Sequence, residues 1–117
     1  MNLKKVSQLV GGKVIAGEEF LNREIKAAYG ADLLSDVLAF TESGTLLLTG
    51  LVNSQVVRTA EMLDLCGIVV VRGKEVEGDT LKLAKECNMT IIVTDKTMFE
   101  SCGILFHHGV KPCGFTK

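Results

Sequence analysis

A chain of 117 residues, 47% hydrophobic and 23% charged, is one ordinary globular domain, too short for two and too apolar to stay disordered. Lys+Arg number 13 and Asp+Glu 14, a formal net charge of -1. That balance builds no broad basic field and excludes nucleic acid as the main partner.

The first residues are basic, Lys4-Lys5, but no apolar run of signal length follows them, and no stretch approaches the roughly 20 apolar residues that span a bilayer. Cys66, Cys87, Cys102 and Cys113 are therefore expected as reduced thiols in a cytoplasmic protein without a membrane partner. Leu3 to Val10 reads as a short helix running into Gly11-Gly12. Lys13-Val14-Ile15-Ala16 reads as a strand. From Glu24 to Tyr29 the pattern alternates, with Ile25, Ala27 and Tyr29 on one face, as an edge strand with one wet face requires. Asp32 can cap a short helix through Leu34, Val37 and Leu38.

The remaining two thirds has a steady rhythm. Three runs, Thr45–Thr49, Gly67–Val71 and Thr90–Thr94, are apolar on successive residues, which suits strands buried on both faces of a parallel sheet. A helical pattern follows each run. The first begins at Asn53 or Ser54 and buries Val56, Val57, Ala60 and Leu63; the second is capped by Asp79 and buries Leu83, Ala84 and Cys87. The third opens with the capping-box sequence Thr97-Met98-Phe99-Glu100 and is expected to bury Phe99, Cys102 and Phe106. The prediction is a single α/β domain over residues 1–117, a three-layer sandwich around a mainly parallel sheet, with a short polar tail from about residue 108.

Ligands of an open parallel sheet sit beyond the carboxyl ends of its strands. Those ends carry Thr49-Gly50-Leu51-Val52-Asn53-Ser54, Arg72-Gly73-Lys74 and Thr94-Asp95-Lys96-Thr97. Right-handed crossovers bring the three loops to one rim, with hydroxyls, glycine backbone, helix N-termini and three cations, a suitable cradle for an anion. The competing reading is that these residues only cap helices and form turns. Asp95, a lone carboxylate, is by itself better explained as a cap. Neither a Walker-type phosphate loop nor Gly-x-Gly-x-x-Gly occurs, and Ser43, Ser54 and Ser101 lack a nucleophile-elbow context. Cys102, His107, His108 and Cys113 are the nearest approach to a metal set, but there is no Cys-x-x-Cys knuckle, so no metal is expected.

Lys13–Gly17, Ala31–Leu38, Leu48-Thr49-Gly50, Gly67–Gly73, Leu83-Ala84-Lys85 and Ile92–Glu100 follow one another along the chain. Through these segments, from Leu3 to Gly109, the chain resembles the DRTGG domain. Leu51-Val52 stands where the family has Asp-Arg, and Arg72-Gly73-Lys74 where it has Thr-Gly-Gly. The resemblance implies a regulatory part without chemistry of its own, of the kind found beside CBS domains in inorganic pyrophosphatases and inside some phosphate acetyltransferases, and it implies a homodimer. It also extends to the amino-terminal domain of the HPr kinase, whose phosphate loop this chain lacks. The sequence reading is then a non-catalytic regulatory module, with no cofactor, that holds a small anionic ligand such as a nucleotide. The site residues are Thr49, Gly50, Asn53, Arg72, Gly73, Lys74, Thr94, Asp95 and Thr97, with the N–H groups of Gly50 and Gly73 and the Thr97 hydroxyl meeting the ligand. Two alternatives are carried: a protein-interaction or dimerisation module without a ligand, and a metal or redox role through Cys102, His107 and Cys113.

Overall fold

A computed structural model describes residues 1–113. Five strands form one sheet: β1 (Lys13–Ala16), β2 (Ala27–Gly30), β3 (Thr45–Thr49), β4 (Gly67–Val70) and β5 (Ile91–Val93), in the order β1-β5-β4-β3-β2. Strands β2, β3, β4 and β5 are mutually parallel, and β1 is antiparallel to β5. The helices are α1 (Leu3–Leu9), α2 (Leu34–Phe40), α3 (Ser54–Met62), α4 (Gly78–Glu86) and α5 (Met98–His107). The architecture is the expected α/β sandwich with a mainly parallel sheet.

The central strands need cover on both sides because their side chains are apolar on both. Leu47, Ile68, Val70 and Ile91 pack beneath Val37 of α2, Val56, Val57 and Ala60 of α3, and Ala84 of α4. Leu46, Leu48, Val69 and Ile92 point the other way, onto Leu3 and Val6 of α1 and Leu105 of α5. Period-two alternation thus feeds two cores from one sheet.

Four helices stop by the same device. Gly11, Asp64, Asn88 and Gly109 have positive φ one residue beyond the caps of α1, α3, α4 and α5. The N–H of the following residue returns to a carbonyl in the last turn: Gly12 to Ser7, Leu65 to Ala60, Met89 to Ala84, Val110 to Leu105. Leu65, Met89 and Val110 are buried at these turns, so the stop signal and the start of the next packed segment coincide.

Three expectations need correction. Helix α5 does not bury Phe99 or Phe106; they are 87% and 70% exposed, while Ser101 and Leu105 face the sheet and Cys102 lies between. The helix is apolar on two faces, and the register set by the capping box turns the smaller side chains inward. Asp79 is not the cap of α4: that position is Glu77, without a side-chain bond, and Asp79 lies in the first turn. The segment after His107 is not a loose polar tail as far as residue 113. Val110 and Cys113 are buried, and the backbone of Lys111 and Cys113 pairs with Ala28 along the outer side of β2. The edge strand supplies the hydrogen-bonding groups that fix it. Residues 114–117 of the expected tail lie outside the described residues.

The inverted exposure gives a direct test. Leu47→Ala removes a fully buried side chain from the core and is expected to destabilise by about 2–5 kcal/mol in urea unfolding. Phe99→Ala is expected to fall within about 0.5 kcal/mol of the parent protein.

Candidate functional site

Strands β3, β4 and β5 end on one rim, because they run in parallel in adjacent register. The structure divides the nine expected residues between structural bonds and exposed groups. Thr49 is fully buried; its hydroxyl donates to Oδ1 of Asp32 (3.2 Å) and accepts from the Leu51 N–H (3.1 Å). The Gly50 N–H donates to the same Asp32 oxygen at 2.6 Å. The Gly73 N–H donates to the Thr94 carbonyl at 2.9 Å. Neither glycine therefore offers its N–H to a ligand, which corrects the sequence expectation. Thr94 is buried, with its hydroxyl donating to the Val10 carbonyl at 2.7 Å and accepting from the Lys96 N–H. Thr97 is the N-cap of α5: its hydroxyl accepts from the Glu100 N–H (3.2 Å) and lies 3.1 Å from Oε1 of Glu100, which also accepts from the Thr97 N–H. The hydroxyls of these threonines are engaged in bonds that build the rim.

Asp32 was expected to cap α2. Helix α2 instead begins at Leu34 behind Leu33, which makes no side-chain cap bond. The parallel register that pairs Gly30 with Leu48 carries the chain after β2 alongside the exit of β3, and Asp32 lands on Gly50. A carboxylate accepting from a backbone N–H and a buried hydroxyl is a strong local anchor.

What remains exposed is cationic. Arg72 has φ +67°, and its own N–H donates to the Lys96 carbonyl at 2.8 Å. Its guanidinium lies over Gly50, where a Cβ would collide with Nη2. Among the described residues it has no ion-pair partner within 4.0 Å; the single pair there joins the Met1 ammonium to Glu24. Beside it, Gly73, Lys74, Thr94 and Asp95 border a hollow of about 260 Å³ whose other wall is Gly11, Gly12 and Lys13. Nζ of Lys96 reaches the same place, 3.4 Å from where a Gly11 Cβ would lie. Asn53 is exposed at the N-cap of α3 and makes no side-chain cap bond.

Lys13 and the two glycines before it escaped the sequence reading. Because β1 runs against its neighbour, its first residue, not its last, sits where the parallel strands end: Lys13 pairs with Val93. No local pattern announces that direction.

Among the described residues the thiols are not gathered into one cluster. Cys102 is half-buried on α5, His107 is exposed at its end, and Cys113 is buried with Sγ 3.1 Å from Oγ1 of Thr45. Among the described residues no three His, Cys, Asp or Glu side chains come close enough to hold an ion. Burial pushes the thiols of Cys66 and Cys102 up, toward the unreactive protonated form.

The DRTGG domain model matches residues 5–107, and the chain belongs to that family. No curated protein matches it. Among solved structures, the CBS and DRTGG domains of the regulatory region of Clostridium perfringens pyrophosphatase, complexed with the activator diadenosine tetraphosphate, share its fold. The TM-score is 0.71 at 17% identity over 89% of this chain, which spans 45% of that one.

Two measurements probe this construction. Asp32→Ala leaves the Gly50 N–H and Thr49 hydroxyl without their acceptor, and urea unfolding is expected to show a loss of about 1–2 kcal/mol. The Glu100 carboxyl is held below the ordinary glutamate range, first by the Thr97 N–H and then by its hydroxyl. A depressed folded pKa contributes stability that is present above the unfolded value and disappears as pH falls through the folded one. The stability difference between the parent and Glu100→Gln should therefore shrink on acidification through that window, and a difference independent of pH would count against the capping box as an ionic device.

Proposed function

We propose that this domain is a non-catalytic regulatory module that senses a small anion of the nucleotide class at the rim of β3, β4 and β5, and that it works as a cytoplasmic homodimer. Arg72 carries the reading: an exposed guanidinium without an ion-pair partner among the described residues, set over a glycine that leaves it room. Lys13, Lys74 and Lys96 extend the same cationic lip toward β1. A planar fork of N–H donors suits a phosphate or carboxylate, and the lysines add charge without demanding geometry. The start of α3, with no side-chain cap and no acidic residue in its first turn, adds the positive end of a helix dipole to this rim. Asp95 and Glu75 lie along the same edge and set a limit on how much negative charge the rim accepts.

A regulatory role fits the hydroxyls and thiols. Thr49 and Thr94 are committed to structural bonds, and the Cys66 and Cys102 thiols are held protonated by burial. The four free cysteines suit a reducing compartment. Further support comes from the pyrophosphatase regulatory region of the same fold, whose activator is a dinucleoside polyphosphate. The interaction-module reading has its own observation in the exposed phenylalanines of α5.

Calorimetric titration with mono- and dinucleotides and inorganic phosphate tests the anion site. At least one should bind, and Arg72→Ala should weaken that binding by about 10- to 100-fold, the worth of a charge-assisted hydrogen bond, with unchanged urea unfolding. Gly50→Ala should weaken it too, since the new methyl displaces the end of a flexible side chain and not the backbone. Absence of heat with every compound, or an Arg72→Ala protein that binds as the parent does, overturns the reading.

A further inference from the structure

Helix α5 presents an apolar stripe on the side opposite its buried residues. Phe99, Gly103 and Phe106 follow one another at four and three residues, roughly 6 and 4.5 Å along the axis, and all three are exposed. Nothing lies within 4 Å of the position a Gly103 Cβ would take. Between the stripe and the outer end of β2 opens an apolar cleft of about 320 Å³, with Tyr29, Cys102 and Val110 in its wall beside the two phenylalanines. The surface therefore alternates protrusion and recess: ring, gap, ring, with a hollow alongside.

We infer that this stripe is the surface on which two copies of the chain pair, α5 against α5 about a two-fold axis at Gly103. The inference rests on the homodimer part of the reading above and is independent of the anion site. A two-fold interface must complement itself, so each protruding group needs a recess on the same patch. Antiparallel α5 helices crossing at Gly103 bring Phe99 of one copy toward Phe106 of the other. The missing side chain at the axis lets the backbones approach, and the adjacent cleft is large enough for an incoming ring. No charged side chain stands between Phe99 and Phe106 on this face; Glu100, on another face, is held in the capping box. A charge at the axis would meet its own copy, and its absence removes that obstacle.

The rings alone make a large part of the area a dimer needs. A buried aromatic side chain covers about 150–250 Å², so four largely exposed rings supply on the order of half of a standard interface of about 1,200–2,000 Å².

Sedimentation or light scattering over about 1–100 micromolar, the range of modest dimers, tests the proposal on the parent protein and on Phe99→Glu and Phe106→Glu. A parent dimer that each substitution weakens by about a hundredfold or more, with circular dichroism unchanged and urea unfolding unchanged at dilutions where the parent too is monomeric, supports it. Gly103→Cys should also cross-link across the axis under oxidation, seen on a non-reducing gel against the parent as control. A parent protein that stays monomeric throughout overturns it and leaves the stripe to a different partner. A dimer indifferent to both glutamate substitutions, or one disrupted by Arg72→Ala instead, places the interface elsewhere and also overturns it. Nucleotide titration of Phe106→Glu separates the two sites: parent-like binding by a monomeric variant supports the pairing surface as distinct from the rim.

Discussion

Parallel pairing of strands that are apolar on both faces is the constraint from which the rest descends. Thr45 to Thr49 is buried at every position, and the neighbouring β4 is as well. Such strands cannot leave a face in water, so helices must cover both, and each return to the same end of the sheet needs a crossover. The consequence for function is geometric. All parallel exits lie on one edge, and polar residues that cannot enter either core collect there. The edge is a by-product of burial before it is a site.

Such an edge carries many backbone and hydroxyl groups that need partners, and this chain satisfies most of them internally. Asp32 serves the exit of β3, Val10 takes the Thr94 hydroxyl, and the Arg72 and Gly73 N–H groups bridge to the loop after β5. The outcome is a rim whose donors are mostly spent, above which long cationic side chains stand without ion-pair partners among the described residues. That differs from a phosphate-cradling loop, where the backbone N–H groups themselves face the ligand. Recognition here would rest on side-chain charge, with correspondingly greater sensitivity to salt.

Much of this was legible in the residues. The three apolar runs, their spacing, and the capping box at Thr97 are local signals, and the parallel order of their strands follows from loop length. What escaped is decided by tertiary register. Asp32 has the local context of a helix cap, and only the pairing of β2 with β3 shows that Gly50 competes for it and wins. Lys13 could not be assigned to the rim without knowing that β1 runs backwards. Phe99 and Phe106 were expected inside because large aromatic residues usually are. Yet α5 carries apolar residues around much of its circumference, and hydrophobicity without a polar face gives no phase. The sheet took Ser101 and Leu105, and the larger rings were left outside.

Backbone geometry at Arg72 bears on the proposed anion site. Three non-glycine residues among those described have positive φ: Asp64, Asn88 and Arg72. The first two close α3 and α4, and Asp and Asn tolerate that conformation because their short side chains bond locally. Arginine has no such compensation, and the conformation costs roughly 1 kcal/mol that glycine at the same place would not incur. Gly73 follows directly and shows that the turn can take glycine. Arginine at position 72 thus sacrifices stability and recovers none through an ion pair within the described fold. An arginine held against local backbone preference, with its charge over Gly50, supports the proposal of recognition at this rim. Arg72→Gly tests this: the variant should be as stable as the parent or slightly more so, while losing whatever anion affinity the rim has.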